Sequence, residues 1–124
     1  MAMSNEDELA ESSKEAQEHT MERLSAMVTT EGVAGYGPED GPGVRCPFCP
    51  LTESATYIHI ERRVNFLGND NYDASGRYGL DVRGDVAAIE FWSETCSHRW
   101  ALAFGFHKGA TFVRVVRLPK AETA

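Results

Sequence analysis

Four residues in two short clusters carry the most explicit chemistry in this 124-residue sequence. Cys46-Pro47-Phe48-Cys49 sets two thiols two residues apart, and Cys96-Ser97-His98 sets a third thiol beside an imidazole. Three thiolates and one neutral imidazole make a complete tetrahedral donor set for Zn2+. Two thiolates at that spacing can grip an ion from a tight turn, and a second turn then closes the tetrahedron. With every position filled by protein, such a site is structural, not catalytic. Its affinity becomes folding free energy, because metal binding joins distant parts of the chain. The 46 residues between Cys49 and Cys96 exceed the roughly 15–20 of compact C-x2-C pairs, and the second cluster is C-x-H. The fourth ligand is assigned to His98, with His107 as its rival and His59 behind both.

Other sites carry less. Cys46-Pro47-Phe48-Cys49 also resembles the redox pair of glutaredoxins. That chemistry needs a low-pKa cysteine at a helix N-terminus, after the first strand of a thioredoxin-like fold. Here a Gly/Pro-rich segment precedes the pair and hairpins follow it, so thiol oxidoreductase is the third reading. Asn71, Asp73, Ser75 and Gly76 follow a calcium loop only in part, since Val82 stands where a bidentate Glu belongs. Arg83-Gly84-Asp85 reads as a hairpin turn. No nucleophile–base order or phosphate loop stands out, and the expectation is a chain that is not an enzyme.

The elements that must position the cysteines follow from periodicity. Residues 4–30 read as an acidic amphipathic helix, with Ser4 and Asp7 as its N-terminal cap. Its apolar face is thin and is densest at Met21, Leu24, Met27 and Val28, which are the candidate contacts for a protein partner or a second helix. Seven of the twelve residues in 32–43 are Gly or Pro, the composition of a linker. From Cys46 onward the period is two. Ile58, Ile60, Val64 and Phe66 are placed on one face of a strand, followed by a polar loop at 68–79. Leu80 and Val82 are read as opening a strand that turns at Gly84-Asp85, and the next strand carries Ile89 and Phe91 inward. Trp100, Leu102, Phe104 and Phe106 alternate along another strand. Lys108-Gly109 is a turn, and 112–118 is the last strand, ended by Pro119. The expectation is a mostly β fold with an N-terminal helix and zinc-ribbon-like antiparallel hairpins. It divides into a helix at 1–31, a linker at 32–45 and a β domain at 46–124. A β domain of that size has a modest core, which a metal would reinforce.

Charge and length narrow the function. The first 45 residues hold three basic and ten acidic side chains, so the whole net charge of −7 lies there and the rest is neutral. Phosphate neutralisation supplies most nucleic-acid affinity, so nucleic acid is the alternative partner and not the first. Arg62, Arg63, Arg77, Arg83, Arg99, Lys108, Arg114 and Arg117 could still gather beside aromatic side chains as a single-strand surface. No run approaches the roughly 18 apolar residues of a membrane span. The acidic start lacks the pattern of a secretory signal, and three cysteines cannot all pair within one chain. The expected setting is cytoplasmic.

The two cysteine clusters, together with Arg99-Trp100 and the run His107-Lys108-Gly109-Ala110-Thr111-Phe112, resemble small zinc-ribbon proteins encoded by tailed bacteriophages of actinobacteria. The resemblance covers roughly residues 46–118 and rests on those short motifs. It implies a zinc-bound β domain made as a phage accessory protein, and host cytoplasm as its location. The reading drawn from all of this is a non-enzymatic zinc-binding protein that acts through protein–protein interaction.

Overall fold

The computed structural model describes residues 11–49 and 57–119. Helix α1 spans Ser13–Met27 and is followed directly by the short strand β1, Val28–Thr29. Strand β2 is Gly43–Val44, and β3 is Ile58–Phe66. A short helix α2, Tyr72–Arg77, precedes β4 (Val86–Ser93), β5 (Arg99–His107) and β6 (Ala110–Leu118). β3 to β6 form one antiparallel sheet in chain order, and β1 pairs with β2 in a small second sheet. The fold is therefore mostly β with an N-terminal helix.

The helix starts later than the sequence reading placed it. Ser12 is the N-cap: its hydroxyl accepts from the Glu15 backbone N–H, and the Glu15 side chain accepts from the Ser12 N–H. That reciprocal capping box satisfies two orphan donors and fixes the first turn. The proposed cap at Ser4 and Asp7 lies outside the described residues. The helix also ends early, because Val28 takes an extended conformation and enters β1.

α1 covers the open edge of β6. The Thr20 hydroxyl accepts from Val115 N–H at 3.1 Å, and Glu11 Oε1 accepts from Arg117 N–H at 3.1 Å. Arg23 donates to the Val115 carbonyl at 3.0 Å and holds both Glu11 oxygens at 2.6 Å. Side chains thus take the hydrogen bonds that a further strand would take, which protects an edge otherwise open to pairing.

The sheet has two buried faces. Val86, Ala88, Ala101, Ala103, Val116 and Leu118 form the first, covered by Ala16 of α1 and by Tyr78, Leu80 and Val82. Phe91, Trp100 and Val115 form the second, covered by Leu24, Met27, Val44 and the cysteine segment. Small residues of β4 and β5 line the first face, so the loop after α2 can pack closely onto it.

Three strand readings change on this account. Leu80 and Val82 belong to no strand; they are buried loop residues that seal the first face. A bulge between Ile60 and Arg62 reverses the alternation in β3. Ile58 and Ile60 therefore pair opposite Ser93 and Phe91, while Val64 and Phe66 pair on the other face, opposite Ala88 and Val86. On β4, Glu90 is fully buried on the first face, where the sequence reading had only Ile89 and Phe91 inward.

Candidate metal centre

Two turns bring the predicted ligands together. The first follows β2, where Arg45 N–H donates to the Met27 carbonyl at 2.8 Å and Arg45 Nε to the Ala26 carbonyl at 3.0 Å. Those bonds fasten the chain to the end of α1 just before Cys46. The second is the β4–β5 turn. Ser93 N–H donates to the His98 carbonyl at 3.0 Å, and Ser97 N–H to the Ser93 carbonyl at 2.8 Å. Ser97 adopts a left-handed backbone with φ of 64°, which folds Cys96 and His98 onto one side.

The donor atoms of Cys46, Cys49, Cys96 and His98 all lie within 4.8 Å of one another. His98 Nδ1 is 3.4 Å from Cys46 Sγ, 3.6 Å from Cys49 Sγ and 3.2 Å from Cys96 Sγ. Ordinary Zn–S and Zn–N bond lengths at tetrahedral angles give an S···N edge of about 3.6 Å. The three S···N edges therefore already lie near the spacing that a tetrahedral ion imposes. Backbone donors complete the arrangement: Phe48 N–H donates to Cys46 Sγ at 3.4 Å, and His98 N–H plays the same part for Cys96.

The electrostatics call for a cation. Burial pushes the Cys46 thiol far above its ordinary range. Burial and the Cys96 contact push Cys49 up to about 11. At Cys96 burial raises the pKa, but hydrogen bonds from Cys49, Ser93 and the His98 backbone outweigh it, and the thiol falls below its usual value. Cys96 thus gives up its proton more easily than an ordinary thiol while its two neighbours hold theirs more tightly, and a divalent ion would favour the thiolate form of all three.

The walls are apolar and well packed. Cys46 is buried with Met27, Phe91, Trp100 and Val115. Phe48, between the first two cysteines, lies 5.9 Å from the His98 ring and meets Trp100 edge-on at 6.3 Å. Arg23 and Arg117 stand over the Phe48 ring at 5.0 and 5.9 Å.

The rival histidines are elsewhere. Arg99 and His107 end β5, so roughly 27 Å of strand separates His107 from the cluster at ordinary strand rise. His59 pairs with Glu94 at 2.8 Å and packs on Trp92.

Of the helix residues read as partner contacts, Met27 is in the second-face core and Leu24 packs against it. Met21 and Val28 remain exposed, at 71% and 48%. The Asn71–Gly76 segment is largely α2 and not an ion loop. Its Asn71 side chain donates to the Gly68 and Gly84 carbonyls, which ties two turns together.

A buried charge cluster was not foreseen. Tyr78 donates its hydroxyl to Glu90 Oε2 at 2.6 Å, and Arg77 Nη2 approaches the same oxygen at 3.1 Å. Arg99 Nη2 stands 3.6 Å from the other oxygen, an ion-pair distance too long for a good hydrogen bond. The signal in the sequence was Glu90 itself, a lone charge in the otherwise apolar run from Val86 to Trp92.

Among the described residues no helix is long and apolar enough to cross a membrane. Comparison with protein-family models, curated proteins and solved structures gives no match for this chain.

Proposed function

We propose that the chain is a non-enzymatic zinc protein that acts by binding another protein, in the manner of a phage accessory protein in the host cytoplasm. The observation that supports this reading is the convergence of three sulfurs and Nδ1 within 4.8 Å of one another, with S···N distances of 3.2–3.6 Å. Cys46, Cys49, Cys96 and His98 would hold the ion. Bound there, the ion supplies a cross-link between the segment after α1 and the β4–β5 hairpin. Such a site positions surfaces and does not turn over substrate. The net charge of −7 favours a protein partner over nucleic acid.

Cobalt substitution tests the closed site. The Co2+ form is expected to show intense visible bands of a tetrahedral thiolate centre, unchanged when azide or imidazole is added. Band shifts with those added ligands would reveal an open coordination position and overturn the structural reading.

A further inference from the structure

Among the described residues, the second face of the sheet is covered at its metal end and left bare beyond it. A groove of about 700 Å3 lies there, lined by Ile60, Arg63, Ile89, Leu102 and Phe104. Ile60 is 61% exposed and Phe104 41%. Across the sheet, α1 leaves Met21 exposed between the exposed acids Glu18 and Glu22, and Val28 is exposed where β1 begins. An exposed apolar side chain and an apolar groove, neither covered among the described residues, thus share one molecule.

Their heights along the strands agree. Arg63, Ile89, Leu102 and Val115 are paired in register across the sheet, and Val115 N–H donates to Thr20 of α1. Met21 therefore stands level with the groove but on the opposite border. A twofold axis parallel to the strands exchanges the two borders without changing height. It would lay each α1 across the groove of the other copy, the self-complementary arrangement of an isologous dimer.

Charge favours the same pairing. Arg63 makes no ion pair among the described residues, while the acids of the chain are concentrated before residue 46. Groove against groove would oppose Arg63 to Arg63; helix against groove sets Glu18 and Glu22 beside it.

We propose that a second copy of this chain docks here, Met21 of α1 in one copy entering the Ile60–Ile89–Leu102–Phe104 groove of the other. This rests on the protein-binding reading above and names the partner.

The test is sedimentation equilibrium of the full chain over a concentration series, with zinc measured in the same samples. The wild type is expected to dimerise reversibly. Arg63→Glu and the double variant Glu18→Arg/Glu22→Arg are each expected to weaken association about tenfold, since attraction becomes repulsion at both symmetric contacts. Mixing the two variants is expected to restore a dimer, because every contact in the mixed pair then joins opposite charges. These positions are exposed, and wild-type circular dichroism of each variant verifies the fold. A monomer at every concentration with zinc bound overturns the dimer and leaves the zinc reading standing. A dimer indifferent to both variants also overturns it. Zinc-free protein that still pairs through these residues supports the dimer and retires the zinc reading.

Discussion

Cys46→Ser is expected to lower the thermal midpoint of the zinc-loaded protein by about 15 °C. The magnitude follows from topology. The cluster joins side chains 49 and 52 residues apart, from Cys49 and Cys46 to His98. Closing a loop of that size removes about 4 kcal/mol of unfolded-chain entropy in the cross-link model. At roughly 4 °C per kcal/mol for a domain this long, the midpoint moves by the stated amount. Serine keeps the size of cysteine but supplies no thiolate, and Cys46 is 2% exposed, so water cannot take its place cheaply. Melting curves with and without chelator check the cause. Chelator should bring the wild type down to the variant and move the variant little further. A wild type indifferent to chelator would mean that Cys46 acts by packing alone.

Glu90→Gln is expected to cost about 3 kcal/mol near neutral pH. The carboxylate is fully buried and accepts from Tyr78 and Arg77 while facing Arg99. An amide can still accept from Tyr78, but it turns an N–H group toward the guanidiniums and takes away the counter-charge of Arg77, while Arg99 keeps its pair with Glu61. The network also fastens α2 to the sheet, since Arg77 and Tyr78 close that helix. Its pH dependence has a definite sign. Burial alone would raise the Glu90 pKa, but the Tyr78 hydrogen bond and the Arg77 charge outweigh it and bring it below 4.5. A depressed folded value means that the contribution is complete above the ordinary carboxylate range and disappears as pH falls through the folded value. Acid also strips a thiolate site of metal, so the informative quantity is the difference between variant and wild type. Urea unfolding of both proteins from pH 7 downward should show that difference shrinking in acid. A constant difference would show that the charge is not the source of stability.

The Cys/His cluster was legible because its logic is local: thiol spacing within a turn needs no knowledge of the sheet. The choice of His98 over His107 also followed from local spacing, and the length of β5 explains it, since one strand separates the two. The β3–β6 meander was legible from period two and from the Lys108-Gly109 turn, where both residues take positive φ. The burial of Glu90 was hidden for one reason. Alternation says which residues share a face but not which face is covered more fully. Ile89 and Phe91 are the residues that the period turns inward on β4, yet Glu90 between them is fully buried, on the face that Ala101 and Ala103 share. The bulge in β3 left no mark in composition, because it is set by pairing with β4. The docking of α1 was likewise hidden. Its buried contacts combine Ala16 and Met27 with the polar Thr20, a mixture whose apolar face looks thin in sequence but fits a strand edge.

Elemental analysis of protein purified without chelator, beside a His98→Ala variant, puts the four-ligand site to its most direct test. One zinc per chain, bound more weakly in the variant, is the predicted result. Metal-free protein with Cys46 and Cys49 oxidised to each other would contradict it and make the pair a redox centre.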